Sequence, residues 1–280
     1  MKEIVRKSLV GERAMFEASD LRIVECTFED GESPLKHSKN LQIFQSLFKW
    51  KYPCWYSQNL SFESCMFLEM ARAGIWYANG VIMKNCTIES PKIFRQTSGL
   101  DLQNVTIFKA DETMWNCRDI KMKNIVAKGD YFAMGSADID IDGFELLGNY
   151  SFDGSKNVHV KNAKILSKDA FWNSENVIIE DSFISGEYIG WNSKNLTFIN
   201  CMIESLQGFC YIKNLTLKNC KLINTTRAFE YSSDINAQII GRVDSIVNPI
   251  SGVIVADEIG EITLDDSKID PKETKISTNK

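Results

Sequence analysis

Carboxylates, guanidinium groups and flat aromatic rings recur in this chain at intervals of about twenty residues, and the interval suggests what they could do together. Asp111 and Asp130 stand nineteen residues apart. If that interval is one rung of a stacked coil, their separation would be about 5 Å, the spacing of a nucleophile and acid in a retaining glycosidase. Asp130, Asp153 and Asp169 are the catalytic candidates. Arg72 and Arg95 are candidates for holding an anionic group, because a guanidinium forks onto a carboxylate. Trp76, Trp115, Tyr131, Tyr150, Trp172, Tyr188 and Trp191 are the ring candidates, since flat faces stack on pyranose rings while indole N–H and phenol O–H groups reach hydroxyls. The chemistry this implies is carbohydrate or glycoconjugate recognition, with a hydrolase or lyase reaction as an open extension. The alternative is a non-catalytic interaction scaffold, because rows of exposed aromatics also mark protein interfaces. A third reading places the tryptophans partly inside, with the charged rungs marking local distortions.

Other classes are disfavoured. A formal net charge of -5 with interspersed signs lacks the basic face that nucleic acid needs. No apolar run reaches the length of a membrane span, and MKEIVRKSLVGERAMFEAS does not read as a secretory signal, so a cytoplasmic location is expected. Cys26, Cys54, Cys65, Cys86, Cys117, Cys201, Cys210 and Cys220 form no C-x-x-C pair, so zinc spacing is absent and free thiols are expected. No phosphate loop, dinucleotide fingerprint or metalloprotease signature appears; no metal or cofactor is expected. His37 and His159 read as surface or structural residues. The oligomeric state is left open.

The elements that must position these residues are set by a repeat. Leu21, Leu41, Leu60, Val81, Leu100, Ile120, Ile139, Val158, Val177, Leu196, Leu215 and Ile235 each follow an Asn, Asp or Gly, at intervals of 19–21 residues. A fixed period of this size means stacked coils. Two residues after each anchor the chain is again apolar, as at Ile23, Phe62, Ile141 and Phe198, which is the alternation of a strand. Four residues after it come turn formers such as Asn85, Asn104, Asp181 and Asn219, which tolerate a left-handed corner. Small or thiol-bearing residues follow; Cys26, Cys65, Cys86, Cys201 and Cys220 share this column and read as small apolar fillers.

A third strand is expected upstream of each anchor. Six residues before the anchors the column is apolar, from Leu35 to Phe229, and is assigned to the core. One residue later it carries five tryptophans among charged residues, and is assigned to solvent because unpaired charges do not lie in a core. Ser38, Ser57, Ser136, Ser155, Ser174, Ser193 and Ser232 form a hydroxyl ladder at the next corner. The predicted fold is therefore all-β, a single-stranded right-handed parallel β-helix of about 12 coils with a period of 19–20 residues. One domain is expected over residues 1–280, with a cap or partial coil over 1–18, regular coils over 19–240, and an irregular cap and tail over 241–280.

The blocks ETMWNC, GDYFAMGS, GNYSFDG, KDAFWN, GEYIGWNSKNL and INTTRAFEYS resemble an uncharacterised microbial family catalogued as domain of unknown function 3737. The resemblance covers nearly the whole chain. It implies a right-handed β-helix of the pectin-lyase-like superfamily, and no established activity or catalytic residue. The Asn-Thr-Asp, His-Gly and Arg-Ile-Lys motifs of a polygalacturonase-like site are missing.

Overall fold

Parallel strands that repeat every coil dominate the computed structural model, which describes residues 1–279. The strand that carries the anchor recurs from Lys2–Val5 through Ser19–Val24, Lys39–Phe44, Gln58–Glu63, Asn79–Lys84, Ser98–Ile107 and Arg118–Lys128 to Ala137–Leu147. It continues from Lys156–Leu166 through Glu175–Glu180, Lys194–Ile199, Lys213–Ile223, Ser233–Val247 and Gly252–Thr263 to Thr274–Thr278. Among the described residues there is no α-helix, and a single 3-10 turn spans Pro271–Glu273. The fold is a right-handed parallel β-helix of about 15 turns, against the 12 counted from the anchors. The additional turns come from Lys2–Val5 at one end and from Gly252–Thr263 and Thr274–Thr278 at the other.

Two compact units share this architecture, Met1–Leu146 and Leu147–Lys280. In the first, Leu21, Leu41, Leu60, Val81, Leu100 and Ile120 stand directly over one another. In the second, Val158, Val177, Leu196, Leu215 and Ile235 do the same. Register is fixed because a one-residue slip would turn every apolar side chain outward. Phe28, Phe48 and Phe67 stack face to face at 4.6 and 4.5 Å inside the first unit, and Phe152 and Phe171 at 5.0 Å inside the second. Each such buried ring stabilises by about 1.5–3 kcal/mol.

The corners follow the expected chemistry. Asn85, Asn104, Asn124, Asn162, Asp181, Asn200 and Asn219 all have φ between 48° and 56°, and side-chain amides link successive corners, as from Asn104 to Asn85 and from Asn219 to Asn200. The serine ladder is internal. Ser57, Ser174 and Ser193 donate to the carbonyls of Leu35, Phe152 and Phe171 one coil back, while Ser57 and Ser193 accept from the Ser38 and Ser174 amides.

The third segment differs from the expected strand. In most coils its alternate residues are left-handed: Tyr52, Cys54 and Tyr56 have φ of 63°, 60° and 57°, and Glu112, Met114 and Asn116 of 51°, 61° and 53°. Left-handed residues at every second position interrupt an extended ladder, so the segment is a ribbon of turns. Among the described residues its backbone pairs as β structure only locally, at the bridges Trp76–Arg95–Trp115 and Ala228–Ile246 and between Asp169–Ala170 and Tyr188–Ile189.

Candidate functional site

The ribbon of turns sets out the aromatic columns. Every residue six before an anchor, from Leu35 to Phe229, is buried. The next residue, where the tryptophans lie, is half-buried rather than fully exposed. The residue after that is left-handed, and there the ring stands out in solvent, as at Tyr56, Tyr77 and Tyr211.

In the first unit the column is closed on itself. Trp55 and Trp76 stack at 5.2 Å and 7°. The Arg95 guanidinium lies 4.5 Å from Trp76 and 4.6 Å from Trp115, so both faces of Trp76 are covered. The indole N–H groups of Trp76 and Trp115 donate to the Lys92 and Tyr131 carbonyls one coil on, each at 2.7 Å, and Trp55 does the same to Ala73. Glu112 holds Lys92 at 3.0 Å and Arg95 at 3.2 Å. Arg95 is therefore already engaged by two rings and a carboxylate, whereas Arg72 is exposed. The pairing of Asp111 with Asp130 takes an unexpected form: the Asp130 amide donates to Asp111 Oδ1 at 3.0 Å, which gives Asp111 a turn-forming role.

In the second unit the tryptophans meet Tyr150 and Tyr188 edge to face, while Trp172 and Trp191 are tilted by 34° at 6.2 Å. Trp172 stands 6.5 Å from Tyr150 at 79° and 6.4 Å from Tyr188 at 71°. Trp191 meets Tyr188 at 5.1 Å and 88°, and Tyr211 at 4.7 Å and 44°. Tyr211 continues to Tyr231 at 5.2 Å, whose hydroxyl donates to Asp266 at 2.8 Å. Asp169 is only 3% exposed. Burial pushes its carboxyl above the usual carboxylate range, with Lys168 opposing and Glu187 adding to the rise. Asp153 lies nearer the surface and accepts from the Asn173 amide at 3.0 Å.

The candidates thus divide. Trp76, Arg95 and Trp115 share a stack in the first unit, with Tyr131 edge-on to Trp115, and Arg72 and Asp130 lie in the same unit. Tyr150, Trp172, Tyr188 and Trp191 gather in the second unit around Asp169, with Asp153 in the same run of coils. The sequence reading missed the exposed row four residues before the anchors. There His37, Tyr56 and Tyr77 stack at 5.1 and 4.8 Å, and Tyr211 and Tyr231 occupy the equivalent positions in the second unit. The clue was the recurrence of aromatic residues directly after the tryptophan column.

All eight cysteines are buried and free. Cys65 and Cys201 donate to the carbonyls of Ile43 and Ile179 one coil back, as fillers do. No metal-binding group of three or more His, Cys, Asp or Glu side chains occurs among the described residues. Nor is any helix among them long and apolar enough to cross a membrane. His159 lies 3.7 Å from Glu180 at the surface.

Known proteins place this architecture. A tailspike protein mutant of E. coli bacteriophage HK620 in complex with pentasaccharide is similar at a TM-score of 0.53 and 8% identity, over 94% of this chain and 70% of that one. A second mutant of that tailspike, with hexasaccharide, gives 0.48 and 8% over the same shares. PfbA, a surface adhesin of Streptococcus pneumoniae, gives 0.38 and 10%, over 94% of this chain and 78% of that one. The first of these likenesses shows a shared fold. No curated protein matches the chain. The model of the protein family of unknown function DUF3737 matches residues 2–277, and the chain belongs to that family.

Proposed function

We propose that the protein recognises carbohydrate, and that the second unit's strip of Tyr150, Trp172, Tyr188, Trp191 and Tyr211 is the surface that does so. The observation that carries this is the open packing of the rings, edge-on or tilted and never parallel. In the first unit Trp76 lies between Trp55 and Arg95 and has no face to offer. In the second unit's strip no pair is a parallel stack, and the rings are half-buried or exposed. Such rings suit the C–H faces of a sugar, with carboxylates and phenols beside them for its hydroxyls. The bacteriophage tailspike that shares the fold was solved with a pentasaccharide bound, which supports a sugar-directed reading.

The test is a thermal-shift screen against neutral and acidic oligosaccharides, followed by Trp191→Ala. A ligand at a hundred times its dissociation constant raises stability by about 2.7 kcal/mol. A shift that disappears in Trp191→Ala supports the reading; a shift unchanged in that variant rejects the strip as the binding surface. One observation favours the alternative scaffold reading: the His37, Tyr56 and Tyr77 row stacks at the surface, with Tyr56 43% and Tyr77 37% exposed, and exposed aromatic rows suit protein interfaces. Capture of a partner that is lost in Tyr56→Ser/Tyr77→Ser would favour it.

A further inference from the structure

Trp172 departs from the pattern set by the first unit's tryptophans. Trp55, Trp76 and Trp115 each spend the indole N–H on a backbone carbonyl of the next coil. Trp172 Nε1 is buried and has no partner. Three residues earlier in the same coil, Asp169 Oδ1 is also buried and has no partner. A buried polar atom left unpaired costs about 1–3 kcal/mol; Ser38, Ser90, Arg95 and Thr113 of the first unit each leave one too, and the second unit's pair is set apart in joining a carboxyl oxygen with an indole N–H three residues on.

The backbone changes at the same place. Eight residues before the anchors, φ is between 51° and 63° at Arg13, Ser33, Tyr52, Ala73, Lys92, Glu112, Tyr131 and Tyr150. Asp169 and Tyr188, next in that column, are extended instead and pair as short strands. Lys92, Glu112, Tyr131, Tyr150 and Tyr188 reach solvent, and Asp169 is covered. Asp169 lies on the rung between Tyr150 and Tyr188, and Trp172 stands edge-on to both. The cover is thin. Lys168 and Glu187, the charges nearest Asp169, form an ion pair of 3.3 Å at the surface, and exposed pairs of this kind contribute about 0–1 kcal/mol.

We infer that Asp169 and Trp172 form the polar anchor of a niche for a neutral, polyhydroxylated ligand, a sugar without carboxylate or phosphate. This deepens, and rests on, the sugar reading of the strip. A vicinal diol would satisfy both groups, one hydroxyl donating to the Asp169 carboxyl and its neighbour accepting from the Trp172 indole. Pyranose rings present such pairs, and Tyr150, Tyr188 and Trp191 supply the apolar walls. An anionic sugar is disfavoured. Asp153, Asp169 and Glu187 put negative charge in these coils, and Lys168 is held by Glu187. Arg95, the cation best shaped for a carboxylate, is enclosed in the first unit's stack.

The experiment is a titration of the full chain, followed by indole fluorescence and calorimetry. Cellohexaose, laminarihexaose, xylohexaose and isomaltohexaose are the neutral probes, and hexagalacturonate is the acidic one. The inference expects at least one neutral probe to bind at least tenfold more tightly than hexagalacturonate. It expects Asp169→Ala and Trp172→Phe each to weaken that probe about tenfold. Asp169→Asn, which keeps the side-chain shape, serves as the folding control and should lose less. Equal or tighter binding of hexagalacturonate would overturn the neutral class. Wild-type affinity in Asp169→Ala and Trp172→Phe, with binding lost in Trp191→Ala, would overturn the anchor and leave the strip standing. Failure of every probe to bind would overturn both.

Discussion

The two units carry the same column of aromatic residues, five before each anchor, and use it in opposite ways. In the first unit Trp55, Trp76, Arg95 and Trp115 lie face to face and the Trp N–H groups end on carbonyls. In the second, Trp172 and Trp191 are tilted by 34° at 6.2 Å, edge-on to Tyr150 and Tyr188 of the column eight before the anchors and beside a buried carboxyl. A stack whose indole N–H groups are satisfied stabilises the coil it covers. An unsatisfied one costs stability and leaves hydrogen-bonding capacity for something else. Identical spacing in the sequence therefore does not imply an identical role; the partner of each indole N–H separates the two.

The largest effect expected from this contrast is in the stack. Trp76→Ala removes a ring covered on both faces and a hydrogen bond, and should cost about 3 kcal/mol. Trp172→Ala removes a ring whose N–H has no partner, and should cost about 1 kcal/mol less. Chemical denaturation of both variants checks the difference; equal losses would erase the distinction between the units. Next in size is Asp169→Asn. The native Asp169 carboxyl holds its proton more tightly than the unfolded one, whose pKa is about 4, because burial opposes its charge. Stability therefore falls as pH rises from that value through the higher native one, and the cost is present in full above it. Asp169→Asn should thus be more stable than the parent at neutral pH, by about 1 kcal/mol. Melting curves at pH 7 and at about pH 3.5 test this, and the advantage should vanish at the lower pH.

These effects bear on what the sequence could reveal. The β-helix was legible because its signals are local: alternation along the strand, Asn or Gly at the corner, and a fixed interval between anchors. The core column from Leu35 to Phe229 is buried throughout for that reason. The terminal coils were hidden because the interval breaks. Ile235 pairs with Gly252 and Gly252 with Thr274, seventeen and twenty-two residues on, and register shifts lie between Leu217 and Cys220 and between Ile239 and Arg242. The third segment read as a strand because its side chains alternate in and out. That alternation comes from alternating left-handed residues, among them Ile75, Phe94 and Phe152, which are types seldom found there. Within the site, the residue types were visible and their pairing was not. Arg95 in an aromatic column looked like an anion binder, and its place between two indoles depends on rung geometry that composition does not encode.

Arg95→Lys sharpens the comparison at smaller scale. A planar guanidinium fits between two indoles and an ammonium does not, so the change should cost about 1 kcal/mol while leaving the second unit's ligand response intact. Altered ligand binding in this variant would mean that the closed stack is not purely structural.

The smallest expected effect lies at the end of the second unit's aromatic row. Hydrogen bonding to Asp266 pushes the Tyr231 hydroxyl up to about 12 and holds the Asp266 carboxyl low, with the Lys268 amide the larger influence on the latter. The proton is bound more tightly in the native state, so the contribution is complete below pH about 10 and is lost as the phenol ionises near 12. Spectrophotometric titration of tyrosinate should show one late-ionising group, absent in Tyr231→Phe. Hydrogen exchange should show faster opening around Asp266 in that variant, with Trp172 fluorescence unchanged. Coupled changes at both places would mean that the row transmits order along the coils; separate behaviour means that each rung is held by its own contacts.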